Sequence, residues 1–142
     1  CNLGGNNDYF RHNIFCDVKN VMLTRGAQYN NVYHTDTLYV YSRSGSSIYF
    51  GNNYVCKSSI QAGGSVMHNI FVNSIIQCPK TGAMLNNNKI YHSTVSATQL
   101  RHCDITTSTL NHTSAAQYLY MWNSSLTVSA SGMNNSKLIN SK

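Results

Sequence analysis

Ser93-Thr94-Val95-Ser96-Ala97-Thr98-Gln99-Leu100-Arg101-His102-Cys103-Asp104-Ile105-Thr106-Thr107-Ser108-Thr109-Leu110 is the stretch that decides the fold. An aliphatic residue stands at every fifth place, at Val95, Leu100, Ile105 and Leu110. Followed backwards, the same register passes through Val55, Ile60, Ser65, Ile70, Ile75, Lys80, Leu85 and Ile90. Ten of these twelve positions are Val, Ile or Leu, in a chain where about one residue in five is; only Val66, Val72 and Ile76 lie off the register. Two residues before most beats sits a small or amide side chain: Ser58, Asn73, Asn88, Ser93, Thr98, Cys103, Ser108. A period of five fits neither the helix nor the strand. It fits a chain that turns a corner about every five residues and sends one side chain per short strand to a common axis. The beat therefore predicts that Ile60, Ile70, Ile75, Ile90, Val95, Leu100, Ile105 and Leu110 form one axial core.

The rest of the chain echoes itself. His12-Asn13-Ile14-Phe15 recurs as His68-Asn69-Ile70-Phe71, and Val32-Tyr33-His34-Thr35 returns as Ile90-Tyr91-His92-Ser93. Divided by three, these offsets give rungs of about 19 residues, the self-similarity of stacked units that bury their apolar faces only against neighbours. After Leu110 the beat shifts but survives at Met121, Leu126, Met133 and Leu138. Before Val55 it is looser, in a register displaced by two. One domain is expected over 1–142, with loose rungs over 1–54, regular rungs over 55–110 and C-terminal rungs over 111–142.

Composition agrees. Only 10% of the 142 residues are charged, Glu is absent, and 42% are hydrophobic. Good helix formers are thinned out, while Tyr, Thr, Val and Ile favour strands. Asn suits corners, because it tolerates left-handed backbone and bonds along a stack of like residues. No apolar run approaches the roughly 20 residues of a membrane span. With no initiator Met and no signal sequence, a fragment or a processed product is expected. Cys1 reads either as the lipidated first residue of a bacterial lipoprotein or, preferably, as a boundary that happens to fall at Cys. The five cysteines include no CxxC, so neither a disulfide framework nor a zinc site is indicated, and Cys16, Cys78 and Cys103 read as small core residues. The histidines show no metal-ligand spacing and read as features of the repeat. No metal and no cofactor are expected.

Acids are scarce: Asp8, Asp17, Asp36 and Asp104 are all of them. Asp17 and Asp36 are one expected rung apart, which would stack their carboxylates about 5 Å apart, near the spacing of a retaining glycosidase pair. They are the candidate catalytic residues; the bland alternative makes them corner residues. Aromatics are the stronger lead, with ten Tyr, four Phe and one Trp. Tyr33, Tyr39, Tyr91, Tyr120 and Trp122 are the candidates for stacking on sugars, and Tyr at a subunit interface is an equal alternative. The net charge of +6 is spread along the chain. It favours an acidic polysaccharide or lipopolysaccharide, and is too dispersed for a nucleic-acid site.

Cys103-Asp104-Ile105-Thr106-Thr107-Ser108-Thr109-Leu110-Asn111 resembles the pentapeptide-repeat pattern of small, polar and central aliphatic residues around a four-sided right-handed coil. Members of that family that imitate DNA need an acidic surface, so with a basic chain the resemblance implies the fold and a protein-interaction scaffold, not mimicry. The uneven rungs, the Asn- and Tyr-rich strands and the absence of Glu resemble the parallel β-helix of bacteriophage tail spikes and tail fibres, whose fold is like that of pectin lyases. This resemblance implies a homotrimer, assembled in the cytoplasm and carried on a virion or extracellular surface, that binds or cleaves host surface polysaccharide. The expected fold is all-β: a right-handed parallel β-helix (β-solenoid) of about seven rungs. The expected function is host attachment through glycan, with polysaccharide hydrolase or lyase activity as the alternative.

Overall fold

The computed structural model describes residues 2–3, 10–24, 26–41, 48–78, 83–128 and 132–142. Cys1, Asp8 and Lys80 lie outside them. Every strand pairing among the described residues is parallel, and eight strands stack in one sheet: Ile14–Cys16, Asn31–Tyr33, Tyr54–Cys56, Ile70–Val72, Lys89–Tyr91, Asp104–Thr106, Tyr120–Trp122 and Lys137–Ile139. Eight strands make about seven turns of a β-solenoid. This sheet is the first face of the coil. Each turn continues through a second face, with Leu38, Ile60, Ile76, Val95 and Leu110 in register, and a third, with Phe50, Val66, Leu85, Leu100 and Ala116 in register. The coil is three-sided, not the four-sided one that the pentapeptide-repeat resemblance implies.

The five-residue beat has a backbone cause. Through 102–111 the chain runs left-handed corner, buried small residue, outward residue, core residue, outward residue, then the same five again. His102 and Thr107 have φ of 48° and 49°; Cys103 and Ser108 follow them inward; Ile105 and Leu110 are the core residues. Among the described residues seventeen non-glycine side chains have positive φ, and all but Asn20 fall at the two corners flanking the first face. Five of the six histidines (His12, His34, His68, His92 and His102) are such corner residues, which accounts for the echoes in the sequence.

The buried small residues form two ladders along the axis. At the corner entering the first face, Asn13, Asn30, Asn53, Asn69 and Asn88 stack. The backbone N–H and side-chain amide of each of the first four donate to the Oδ1 of the next at 2.9 and 3.0 Å. At the corner leaving that face, Thr35, Ser58, Ser74, Ser93, Ser108, Ser124 and Ser141 stack. Each hydroxyl donates to the carbonyl two residues back, as Ser93 does to Tyr91 at 2.7 Å, and each serine also accepts from the preceding rung's backbone N–H, as Ser108 does from Ser93 at 3.0 Å. A corner turned away from sheet pairing leaves backbone groups to be satisfied in the interior, and these side chains satisfy them.

Three columns of apolar side chains fill the space between the ladders. Ile60, Ile90, Val95, Leu100, Ile105 and Leu110 are fully buried, as their positions on the beat predict. Ile70 and Ile75 are not: they are 39% and 48% exposed, and Phe71 and Ile76 take the core positions. The cause is the third corner, which absorbs extra chain and does not repeat a left-handed residue at every rung; among its described residues only Gly132 has positive φ, at 76°. Between Ile60 and Val66 it holds Gly63-Gly64, one residue more than the beat allows, so the register slips by one until Leu85. Gly64 packs against the Ile48 backbone where a Cβ would collide. Stacked corner residues are accordingly between 15 and 23 residues apart, not a constant 19. The same slip makes Ser74, not Asn73, the buried residue. Cys78 and Cys103 are buried as expected, whereas Cys16 points outward from the first face and is exposed.

Candidate functional site

On the first face the core residue of each strand is flanked by two outward ones, so the face carries two columns of side chains. One reads Ile14, Asn31, Tyr54, Ile70, Lys89, Asp104, Tyr120, Lys137; the other reads Cys16, Tyr33, Cys56, Val72, Tyr91, Thr106, Trp122, Ile139. Tyr33, Tyr91, Tyr120 and Trp122, which lie far apart in sequence, thus share one flat surface. Tyr39 does not join them: it pairs with Met22 and Gln61 on the second face. Tyr54, which the sequence did not single out, stands beside Tyr33 with ring centroids 5.8 Å apart. Partial burial, then Cys56 and Tyr33, push the Tyr54 phenol above its ordinary 10.0.

The face is divided along its length. Its first four strands expose Ile14, Tyr33, Tyr54, Ile70 and Val72 with no charged side chain. The last four carry the charged Lys89, Asp104 and Lys137 together with the aromatic Tyr91, Tyr120 and Trp122. Tyr120 and Trp122 are each 41% exposed, and the Lys137 ammonium stands 5.7 Å from the centre of the Tyr120 ring. Such a contact holds a ring in place and keeps a cation beside it. The corner entering the face adds stacked rings, His12 on Tyr29 at 5.5 Å and His102 on Tyr118 at 4.6 Å. Left-handed backbone at each of these residues aims the side chains out along the corner, where the rung spacing brings successive rings into contact.

The two acids are placed otherwise. Asp17 occupies the left-handed corner position that leaves the first face, and the residue stacked on it in the next rung is His34, since Cys16 pairs with Tyr33. Asp36 follows two residues later, its N–H donating to the Val18 carbonyl at 3.2 Å. The local rung is 17 residues long, so Asp17 and Asp36 stand at different steps of the corner. Asp17 accepts from the Cys16 thiol at 3.4 Å, and that bond with partial desolvation raises the thiol's pKa above its ordinary value. Asp36 lines a shallow depression of about 320 Å³ with His34, Lys57, Ser58, Asn73 and Ile75. A larger open groove of about 740 Å³ follows the same corner near the C-terminal end, past Thr107, Thr109, Asn123, Ser125, Asn140 and Lys142.

Among the described residues no three His, Cys, Asp or Glu side chains cluster as metal ligands. Nor is any described helix long and apolar enough to cross a membrane. No protein-family model, no curated protein and no solved structure matches the chain.

Proposed function

We propose that the chain is a binding segment of a virion tail spike, tail fibre or adhesin, and that it holds an anionic host surface polysaccharide on the first face of the solenoid. The observation that carries this reading is the convergence of Tyr33, Tyr91, Tyr120 and Trp122 on that face, with Lys89 and Lys137 among them. Flat aromatic rings stack on the apolar faces of sugars, and a net charge of +6 attracts polyanions. The solenoid supplies a rigid, extended surface that suits an extended polymer better than a small ligand.

A glycan array of anionic bacterial surface polysaccharides tests the reading, followed by titration of any hit at two salt concentrations. Tyr91→Ala and Trp122→Ala are each expected to weaken binding by about two- to tenfold, and binding weakens as salt rises. Unchanged binding by both variants overturns the assignment of this face. Assembly as a homotrimer belongs to the same proposal, and a clean monomer by light scattering at micromolar concentration contradicts it. The hydrolytic alternative has its own readout: release of reducing ends from the bound glycan, abolished by Asp17→Asn or Asp36→Asn.

A further inference from the structure

Resting on that reading, we infer that Asp104 and Thr106 form the polar floor of a sugar subsite on the first face, walled by Tyr91 on one side and Trp122 on the other. The placement follows from the register. Thr106 lies in the strand between Tyr91 and Trp122 in the same outward column, and Asp104 lies between Lys89 and Tyr120 in the other. The core residues of these three strands, Ile90, Ile105 and Met121, are fully buried, so their flanking side chains stand outward. Neighbouring strands are about 4.8 Å apart, which puts the two aromatic walls about 9.5 Å from each other across a strand of smaller side chains.

The floor has the chemistry of a diol receptor. A carboxylate accepts hydrogen bonds from two adjacent hydroxyls, and a threonine hydroxyl both donates and accepts. Asp104 is exposed on this face, where its oxygens are open to a ligand. Lys89, one strand away, is placed to meet an anionic substituent on a sugar whose hydroxyls face Asp104. The ligand class is therefore a hexuronic acid or similar anionic pyranose with a free vicinal diol, held within a longer chain. Spread positive charge alone would select for charge and not for hydroxyls.

The sign of one substitution separates the two. Asp104→Asn removes a negative charge, so binding governed by charge tightens for any polyanion, whereas binding through a diol weakens. The probes are polygalacturonate, whose rings carry free hydroxyls and carboxylates, and dextran sulfate, whose hydroxyls are largely blocked. Titration of the intact chain is expected to show polygalacturonate weakened about tenfold or more by Asp104→Asn and less by Thr106→Val, with dextran sulfate unchanged or tightened. Thermal melts that match wild type confirm that both variants fold. If Asp104→Asn leaves polygalacturonate binding unchanged or tighter while Trp122→Ala weakens it, the subsite is wrong and the aromatic face stands. If the wild-type chain binds neither polymer, the polysaccharide reading falls and the subsite falls with it.

Discussion

Truncation of Asn69 is the most direct test of what holds this coil together. Asn69 is 1% exposed, and its amide donates to Asn88 Oδ1 at 3.0 Å, to the Phe50 carbonyl at 2.9 Å and to the Met67 carbonyl at 3.0 Å. Its Oδ1 accepts from the backbone N–H and the side-chain amide of Asn53 at 2.9 and 3.0 Å. In Asn69→Ala two groups keep partners: the Asn53 amide still donates to Ala27, and Asn88 Oδ1 still accepts the backbone N–H of residue 69. The Asn53 backbone N–H does not, and a stranded buried donor costs about 1–3 kcal/mol. Weakened satisfaction at Phe50 and Met67 adds about 1 kcal/mol, for a total near 3 kcal/mol. Ser74→Ala removes one accepted and one short donated bond, so about 1–2 kcal/mol is expected there. Urea denaturation with an unchanged m-value measures both, with exposed Asn111→Ala as the reference. If Asn69→Ala costs no more than Asn111→Ala, the ladder decorates the coil and does not hold it.

Other outcomes follow from the same geometry. Cys103 occupies the amide-ladder position above Asn88, so Cys103→Asn extends the ladder and is expected to raise stability by about 1 kcal/mol in the same assay. Thr107 is β-branched at φ 49°, and Thr107→Asn is expected to gain about 1 kcal/mol by relieving that conformation. Ile90→Asp puts an unpaired charge in the core and leaves no folded protein by circular dichroism, whereas Ile70→Asp, on the outer surface, shifts stability by at most about 0.5 kcal/mol. Burial pushes the thiols of Cys103 and Cys78 up from 9.0 to about 11 and about 12. Both resist a thiol reagent until urea is added. Above pH 9 the unfolded chain loses these protons and the folded chain keeps them, so stability falls as pH rises from 9 through 11 and 12.

Much of the fold was legible because its repeat is a covalent count: a left-handed corner, a small buried residue and an alternating strand occupy five residues wherever nothing is inserted. That count identified the core at Ile90, Val95, Leu100, Ile105 and Leu110 and the ladder positions of Asn88 and Ser93. It misplaced Ile70 and Ile75 because Gly63-Gly64 reads as two ordinary loop residues, and only the position of Ile48 shows that they add a step at the third corner. Cys16 was misread for a related reason: the extra step at Asn20 displaces the beat, and Cys16 falls on an outward position. The candidate surface was half legible. Aromatic abundance pointed to Tyr33, Tyr91, Tyr120 and Trp122, but that they share a face, that Tyr39 does not, and that Asp104 stands among them depend on rung lengths between 15 and 23 residues. Asp17 and Asp36 were paired by a constant rung of 19, and the rung between them is 17.

The two ladders do not cover the same rungs. The amide ladder spans Asn13 to Asn88 and then gives way to Cys103 and Leu119, while the hydroxyl ladder begins at Thr35 and runs to Ser141. Both are present only through the middle of the coil, so folding cooperativity is greatest there and each end opens more readily, as in a zipper with one row of teeth missing. Tyr91, Thr106 and Trp122 stand on three successive strands across the point where the amides stop. A polymer laid over them ties those strands together from outside, and the slowing of amide hydrogen exchange on binding is greatest in the C-terminal rungs. Occupancy of the surface and integrity of the weaker end are then one equilibrium, with attachment adding a connection across the rungs where the amide ladder has stopped and the hydroxyl ladder continues alone.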